Sequence, residues 1–460
     1  MSSSDLMRFL TSDFTEPVRD PIWGNIFLSP ALERLAASAP FAKLGRIKQL
    51  GPAFLVYPGA THTRRAHSIG VLHMARRLVW ALAVKGQLDF CTREGIQSYF
   101  VAALCHDLGH FPFAHSLKEL PLEQHEALTA RELLAGPLRA LVLEAGADPA
   151  AAAAIVDKDV PDIRDREIRF FRGLLSGVLD PDKLDYLNRD AFYCGVPYGH
   201  QDSDFILQRV AVGPGDALAI EERGLMSVEG LLFSKYLMYR SVYWHKGVRS
   251  ATAMIKKAIL LALNEGVLRH EDLYGLDDEG FYAKLRAIPF APFVLAESVF
   301  EGRTYGTVLD IAFDEESECH RRLLDLGSRV EAEDTLAAEA GIGNLDLVID
   351  LPEGISFETD LPVLREDTRR EDTRREDTRR EDTRREDTRR EDTPRIAHRP
   401  AERNPADEGR RVWQAIPFPE SPTVFKPPVV DGFAKALRRL RVFAKTPSEG
   451  LAAAAADMLG

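Results

Sequence analysis

The feature that most constrains this chain is an apolar segment that runs directly into two ionisable residues. Residues 99–105 read Tyr-Phe-Val-Ala-Ala-Leu-Cys, which predicts a helix buried on every side. His106 and Asp107 follow at once, and Gly109 and Pro112 break the helix behind them. Polar groups at the end of a buried helix are costly unless they are satisfied, and a divalent cation is one effective partner. The simpler alternative is a buried histidine that forms a hydrogen bond with the neighbouring aspartate. The surrounding sequence has to distinguish this alternative from a metal site.

Bulk composition is that of an ordinary globular protein. The chain has 460 residues, 45% of them hydrophobic, which suits one large helical unit with an appendage or two to three domains. The net charge of −12 argues against broad binding to phosphate backbones, so nucleic acid is not an expected partner. The four cysteines show no CxxC spacing, which favours free thiols in a reducing cytoplasm. No secretory signal is evident, and no apolar run approaches the ~20 residues that a membrane span needs.

Helical periodicity dominates the chain, and the predicted fold is therefore mainly α. Helices are predicted over residues 31–39, 64–85, 125–134, 147–156, 180–194 and 231–263, with more in 265–340 and an amphipathic one over 431–442. Strands are predicted over 53–59, 345–349 and 412–417, and a β-hairpin over 210–232 with its turn near 221–224. Residues 341–364 and 394–460 are thus expected to form a small α+β C-terminal region after a larger helical unit spanning 1–340.

A charged repeat interrupts that C-terminal region. The pentad Arg-Glu-Asp-Thr-Arg occurs five times from Arg365 to Arg389, and a sixth copy is cut short at Pro394. No pentad contains an apolar residue, so the segment cannot contribute to a core. Disorder or a lone solvated helix is the prediction for residues 365–393, and an interaction arm is the alternative. Strand-like sequence on both sides indicates an insertion into one loop.

The predicted helix over residues 180–194 has an unusual polar face. At about 100° per residue, Asp182, Tyr186, Asp190 and Tyr193 share one side, and apolar residues occupy the other. A solvated helix face more typically carries lysine and glutamate. Tyrosines interleaved with aspartates fit the wall of a pocket better.

A set of ionisable residues is spread over these motif-like segments. The candidate metal ligands are His67, His106, Asp107 and Asp182, a mixed nitrogen and oxygen set that suits Mn, Fe, Mg, Zn or Ni without singling out one. Such a site activates water and neutralises a phosphate under attack. Three further histidines titrate in a range useful for proton transfer, namely His110, His115 and His125. The cationic or potentially cationic residues that could hold phosphates are Arg64, Lys183, Arg240, His245 and Lys246.

Four longer strings carry a resemblance to a known family. They are residues 47–51 (Ile-Lys-Gln-Leu-Gly), 57–71 (containing His-Thr-Arg-Arg-Ala-His), 106–115 (His-Asp-Leu-Gly-His-Phe-Pro-Phe-Ala-His) and 182–190 (Asp-Lys-Leu-Asp-Tyr-Leu-Asn-Arg-Asp). Over residues 20–330 the chain resembles the HD-domain phosphohydrolase superfamily, in the branch of the SAM-and-HD-domain deoxynucleoside triphosphate triphosphohydrolase and its bacterial relatives.

The resemblance implies a helical HD core with one divalent metal ion per site, and a dimer or tetramer of identical chains. It places the metal on His67, His106, Asp107 and Asp182. It places His115 and His125 beside the scissile α-phosphate, with His110 close by. The triphosphate would contact Arg64, Lys183 and the turn that contains Arg240, Tyr243, His245 and Lys246. The sugar would meet Gln49 and Leu50 and a pocket lined by Tyr186 and Asp190.

Three departures from the family pattern qualify these expectations. Lys118 stands where relatives often carry a carboxylate, with Glu119 next to it, and Phe111 replaces a common glycine. No N-terminal SAM domain is expected. The predicted function is a metal-dependent phosphohydrolase that converts deoxynucleoside triphosphates to deoxynucleoside and triphosphate. The alternatives are a hydrolase of another nucleotide or phosphoester and a non-catalytic nucleotide-binding regulator.

Overall fold

A computed structural model describes residues 3–160, 166–366 and 413–460, and helices dominate these residues. The predicted mainly α fold is confirmed. Its helices are α1 (Ser3–Ser12), α2 (Pro30–Ala37), α3 (Ala39–Lys43), α4 (Arg64–Val84), α5 (Arg93–Cys105), α6 (His125–Leu134), α7 (Gly136–Glu144), α8 (Pro149–Val156), α9 (Arg166–Leu175), α10 (Pro181–Cys194), α11 (Ser203–Arg209), α12 (Leu225–Met238), α13 (Lys246–Asn264), α14 (Asp278–Arg286), α15 (Val294–Phe300), α16 (Glu318–Arg322), α17 (Leu326–Ala340), α18 (Pro427–Leu437) and α19 (Glu449–Leu459).

Three small sheets accompany the helices. The strands are β1 (Glu16–Asp20), β2 (Gly24–Leu28), β3 (Val210–Val212), β4 (Leu218–Glu221), β5 (Gly306–Ala312), β6 (Leu347–Asp350), β7 (Pro362–Glu366), β8 (Trp413–Pro417) and β9 (Arg439–Ala444). Strands β1 and β2 form a hairpin, β3-β4-β7-β8 form a four-stranded sheet, and β5-β9-β6 form a three-stranded sheet. In the last sheet β9 is central and antiparallel to both of its neighbours, β5 and β6. The sheet therefore joins β5 to two strands of the C-terminal region.

The helices α4, α5 and α10 pack together at the centre and carry the candidate site. From Gly95 to Cys105 every residue of α5 is buried, as the apolar segment predicts. Thr63 caps the start of α4 and Asp180 caps the start of α10, each by accepting a backbone N–H bond. Gly70 lets α4 and α10 approach closely, because a Cβ there would overlap the carboxylate of Asp185.

Several local predictions were wrong. Residues 53–59 do not form a strand, because Pro52 opens a 3₁₀ helix over Gly51–Leu55. The hairpin β3–β4 turns at Pro214–Asp216 rather than near 221–224. The predicted helix over 431–442 ends at Leu437, and the alternating residues after it form β9. Strand β5 lies inside a region predicted to be helical.

The charged repeat lies almost entirely outside the described residues. Arg365 and Glu366, its first two residues, end β7. Strand β7 pairs antiparallel with β8 on the other side of the repeat. In the described parts of the chain, none of the helices combines the length and hydrophobicity needed to cross a membrane.

Candidate active site

The first half of the site is formed where α4 meets α10. His67 is 1% exposed, and its Nε2 atom lies 3.0 Å from Asp182 Oδ1. Its Nδ1 atom lies 2.8 Å from Asp185 Oδ2. Because an ionised carboxylate only accepts hydrogen bonds, Asp185 holds the proton on Nδ1 and leaves Nε2 to face Asp182. Once Nε2 has lost its own proton, this is the imidazole tautomer that binds a metal through Nε2.

The second half follows directly from the end of α5. His106 Nδ1 donates to the carbonyl of Ala103 at 3.0 Å, which again leaves Nε2 as the free ring nitrogen. Asp107 is 3% exposed and accepts a hydrogen bond from Arg64 Nη1 at 2.8 Å. Gly109 is needed at this corner, because a Cβ would overlap the carbonyl oxygen of His125. The tight contact brings α6 against the His-Asp pair.

The four predicted ligands meet in one place. The ligand atoms of His67, His106 and Asp107 all lie within 4.8 Å of one another. Asp182 Oδ1 lies 3.9 Å from His106 Nε2, within reach of one coordination sphere. His106 Nε2 is buried and has no hydrogen-bond partner within the described residues. Two correctly oriented imidazoles, two carboxylates and this unsatisfied nitrogen fit a divalent cation, without distinguishing one metal from another.

The electrostatics of the cluster are those of a cation site. Burial alone would lower the pKa of His67, but its hydrogen bonds with Asp182 and Asp185 outweigh burial and raise that pKa to about 10. Burial would raise the pKa of Asp107, yet His110, His106 and Arg64 together hold that pKa well below its usual range. Asp107 is therefore ionised, and the surroundings of His67 favour positive charge.

Three histidines pack against one another beside this cluster. The rings of His110 and His125 are stacked with centroids 3.9 Å apart, and His115 lies 4.6 Å from His110 and 5.3 Å from His125. Surrounding protein desolvates all three rings and lowers their pKa values well below 6.5, and positive neighbours lower them further. They are neutral at pH 7, so the expectation that they titrate near neutrality does not hold for the free protein.

The cluster lies in a cleft of about 520 Å³. Of the residues predicted from sequence, those that line the cleft are Gln49, Leu50, Arg64, His67, His106, Asp107, His115, His125, Asp182, Lys183, Tyr186, Asp190 and Tyr243. The polar face predicted for α10 thus supplies Asp182, Tyr186 and Asp190 to one wall. Tyr193, from the same predicted face, instead stacks on His62.

Four predicted residues are not among those that line the cleft. His110 is fully buried behind it, in contact with Asp107 at 3.0 Å. Arg240 is exposed and donates to the hydroxyl of Tyr236 at 2.8 Å. His245 caps the start of α13, and Lys246 is exposed on its first turn. The positions of Arg240, His245 and Lys246 differ from the prediction because α12 is followed by a π-helical turn, Tyr239–Tyr243, which shifts the helical phase.

The cleft also contains charged residues that the sequence analysis missed. Lys235 donates to the carbonyl of Ser356 at 3.0 Å and lies 3.3 Å from Glu358 Oε2. Lys183 lies 3.4 Å from the same carboxylate oxygen and 2.7 Å from Asp180. Residues 352–356 and Glu358 form part of the cleft wall. Asp185 could have been found from its i,i+4 spacing with Arg189, but nothing local marks Lys235.

The two departures around His115 have a structural explanation. Lys118 and Glu119 both line the cleft, but Glu119 is paired with Lys256 of α13 and with Arg329 of α17, the latter at 2.9 Å. Its carboxylate therefore joins this loop to helices α13 and α17. Phe111 is 2% exposed and packs against Tyr274.

The fold and this cluster define a class of protein: a helical scaffold on which His, His-Asp and Asp motifs from separate helices converge on one potential cation site. Comparison with known families agrees. Residues 64–147 match the family described as the HD domain, and residues 202–371 match the family described as the HD associated region. Residues 64–147 therefore form an HD domain and residues 202–371 an HD associated region, and the resemblance to the HD-domain phosphohydrolase superfamily predicted from the motifs is confirmed.

Individual relatives extend this result. The protein YwfO of Bacillus subtilis is 34% identical over 269 residues, which are 58% of this chain and 57% of the relative. The deoxynucleoside triphosphate triphosphohydrolase SAMHD1 of Danio rerio is 28% identical, covering 54% of this chain and 46% of that protein. The chain thus spans about half the length of these relatives. A solved structure of an Aquifex aeolicus protein is similar with a TM-score of 0.59 and 27% identity, covering 76% of this chain and 88% of that chain. A phosphohydrolase of Bacteroides thetaiotaomicron, BT4208, shares the fold with a TM-score of 0.61 at 24% identity, covering 76% of this chain and 91% of that chain.

Proposed function

We propose that the protein is a metal-dependent triphosphohydrolase that cleaves a deoxynucleoside triphosphate to deoxynucleoside and triphosphate. The observation that carries the proposal is the arrangement of groups in one cleft: the candidate metal ligands and His115 and His125 share it with Lys183 and Lys235. The resemblance to SAMHD1 sequences supports a nucleotide substrate over a simple phosphoester.

The chemistry follows from the residues around the α-phosphate. A divalent cation on His67, His106, Asp107 and Asp182 would supply Lewis acidity, activating water and neutralising phosphate charge. Water adds to the α-phosphorus and loses one proton, while the bond to the 5′-oxygen breaks and that oxygen gains one. His115 and His125 line the cleft and are candidates for this second transfer. Although they are neutral in the free protein, the charge of a bound triphosphate raises the pKa of a neighbouring imidazole.

The two ends of the substrate would meet different parts of the cleft. Lys183 and Lys235 share one carboxylate partner, so their ammonium groups lie close enough to hold the same phosphate chain. Arg64 is held by Asp107 beside the ligand cluster, where it would contact the α-phosphate. Tyr186 and Asp190 follow on α10, one and two turns beyond Asp182, and would face the sugar. Leu50 would contact the 2′ carbon, where a tight fit excludes a ribose hydroxyl.

The test is a substrate screen with product identification. The purified protein is incubated with the four dNTPs, the four NTPs and simple phosphoesters under each candidate metal, and inorganic triphosphate is measured. Asp107→Ala should abolish metal-dependent turnover with the fold intact. Asp204→Ala serves as the matched control, because that carboxylate is 76% exposed on α11 and does not line the cleft. Orthophosphate as the product would redirect the assignment to another phosphohydrolase, and tight nucleotide binding without turnover would indicate a regulator. Light scattering checks the prediction of a dimer or tetramer.

A further inference from the structure

A segment that belongs to no helix or strand forms part of the cleft wall. It comprises residues 351–361, between the end of β6 at Asp350 and the start of β7 at Pro362, and we call it the strap. Residues 352–356 and Glu358 of the strap line the cleft. Within the described parts of the chain, none of the backbone N–H groups of residues 353–360 donates to a backbone carbonyl. The strap is therefore held mainly by side chains, and segments of this kind open more easily than helices or strands.

Side chains outside the strap hold it against the molecule. The ring of Phe357 is 6% exposed. It belongs to a small apolar cluster whose other buried members are Tyr236, Trp244 and Leu437. Near the start of the strap, the carbonyl of Pro352 accepts a hydrogen bond from Arg438 Nε at 3.0 Å. Because the cluster is small, Phe357 is a weaker anchor than a side chain of the main core.

A further contact places the strap on the two lysines of the cleft. Glu358 Oε2 lies 3.3 Å from Lys235 Nζ and 3.4 Å from Lys183 Nζ. Lys235 also donates to the carbonyl of Ser356 at 3.0 Å. The side chains of Lys235 and Lys183 are 6% and 12% exposed, whereas that of Glu358 is 41% exposed. Burial would raise the pKa of Glu358, but the two lysines outweigh burial and lower that pKa, so the carboxylate is charged at neutral pH.

This arrangement conflicts with a phosphate chain on the same lysines. Carboxylate and phosphate oxygens both accept charge-assisted hydrogen bonds from ammonium groups, so Glu358 and a substrate phosphate compete for the same donors. A triphosphate carries several negative charges against the single charge of Glu358. Bound side by side on one pair of lysines, the two anions would repel each other. The carboxylate therefore has to leave when the phosphate chain binds.

We propose that the strap is autoinhibitory: in the free protein Glu358 occupies the place of a phosphate on Lys183 and Lys235, and a bound triphosphate chain displaces the strap. The inference rests on the proposed function, which supplies the triphosphate, and adds a regulatory step to it. Because the ligand binds only the displaced form, its apparent affinity falls with the fraction of molecules in that form. Weakening any contact of the strap therefore tightens binding, even a contact that does not involve the lysines.

Three substitutions on the strap distinguish displacement from simple charge repulsion. Glu358→Gln keeps the shape of the side chain and removes the charge that faces the lysines. Phe357→Leu weakens the anchor and leaves Glu358 and both lysines unchanged. Asp360→Asn is the matched control, because it removes a charge from an exposed strap residue that does not line the cleft. Far-UV circular dichroism verifies that each protein is folded, and Glu358→Gln tests the inference even if Phe357→Leu does not fold.

The first readout is the affinity for inorganic triphosphate. It is measured by isothermal titration calorimetry with Mg²⁺ in excess, so that the anion does not strip the metal site. Glu358→Gln should bind triphosphate about 2- to 10-fold more tightly than the wild type, as expected for loss of two partly exposed ion pairs. Phe357→Leu should bind it about 2-fold more tightly or better, because more molecules are in the displaced form. Asp360→Asn should stay within about 1.5-fold of the wild type.

The second readout follows the strap itself. A thiol introduced by Phe357→Cys starts in the buried cluster and becomes accessible when the strap is displaced. Its rate of modification by a thiol reagent is measured after subtraction of the rate of the wild-type cysteines. The rate should rise on addition of inorganic triphosphate, and it should rise far less with sodium chloride of equal ionic strength.

Weaker or unchanged triphosphate binding by Glu358→Gln would overturn the inference, because Glu358 would then support the lysines or have no influence on them. Tighter binding by Glu358→Gln with wild-type affinity for Phe357→Leu would also overturn it, since charge repulsion without movement explains that result. A thiol at position 357 that triphosphate protects or leaves unchanged would show that the strap is not displaced. Failure of the proposed function is seen separately, as absence of triphosphate release from every dNTP in the substrate screen.

Discussion

Replacing Asp185 by asparagine should weaken metal binding even though Asp185 is not one of the proposed ligands. Its carboxylate is fully buried and accepts four hydrogen bonds: from His67 Nδ1 at 2.8 Å, from Arg189 Nε at 2.8 Å and Nη2 at 2.9 Å, and from Trp23 Nε1 at 2.6 Å. Asparagine has nearly the same size, but it is uncharged and carries only one acceptor oxygen. If the asparagine oxygen takes the Oδ2 position, its N–H group faces two donors, Arg189 Nη2 and Trp23 Nε1; in the opposite orientation the N–H group faces His67 Nδ1. Either orientation also removes the negative charge that holds the proton on Nδ1, so the His67 tautomer with a free Nε2 is no longer enforced.

The magnitude follows from these contacts. Loss of a partner that orients a metal-binding histidine typically costs about 10- to 100-fold in metal affinity, or about 1.4–2.8 kcal/mol. Breaking a buried ion pair costs about 3–5 kcal/mol of unfolding free energy. Arg189 keeps its second partner, Asp20, at 2.8 Å, so we expect the lower end of that range, about 3 kcal/mol.

Two measurements decide the outcome: metal dissociation constants from competition with a chelator, and urea unfolding. Glu333→Gln is the matched control, because Glu333 is also buried and ion-paired, with Lys257 at 2.8 Å, but belongs to α17 and not to the ligand cluster. The control should lose stability and keep its metal affinity. If Asp185→Asn loses stability while binding metal as tightly as the wild type, the reasoning about the tautomer is refuted.

Three further predictions concern charge. Lys235→Ala should raise KM for the substrate about 10-fold or more, while Arg240→Ala, on the exposed side of the same helical segment, should leave KM unchanged. Equal effects of the two substitutions would contradict the proposal that Lys183 and Lys235 hold the phosphate chain. Glu358→Gln should lower KM about 2- to 10-fold, because its half-exposed carboxylate competes with phosphate for the two lysines, and a higher KM would indicate that it supports them instead. Burial, reinforced by two arginines, lowers the pKa of His73 to about 4. The unfolded imidazole takes up its proton near pH 6.5, so stability should fall as the pH drops from about 6.5 to 4, by at most about 3 kcal/mol. Urea unfolding across this window should show a flatter pH dependence for His73→Gln, and an unchanged slope would exclude this histidine as the cause.

The sequence motifs predicted the four residues that converge as candidate metal ligands, but they did not predict much of the surrounding cleft wall, and the reason is physical. The polar wall of α10 follows from regular helical spacing, which the structure keeps from Pro181 to Cys194. The segment after α12 does not keep it, because a π-helical turn and the cap at His245 interrupt the helix. A continuous α-helix drawn through this segment places Arg240 and Lys246 on the cleft side, whereas Lys235 of α12 and Arg249 of α13 are the residues of these helices whose positive charges line the cleft. Short segments such as 53–59 and 439–442 were misassigned because periodicity does not distinguish strand from helix over so few residues.

The ion pair between Glu119 and Arg329 has a practical consequence for anyone who trims this protein. The loop that carries His115 is anchored by a residue more than 200 positions further along the chain, and Arg249 of the cleft wall is likewise held by Asp350 of β6 at 2.8 Å. A fragment cut to the HD match alone, residues 64–147, keeps His67, His106 and Asp107 but loses both anchors together with α10. Such a fragment is a poor basis for a binding assay, and boundaries chosen beyond β9 are the safer design.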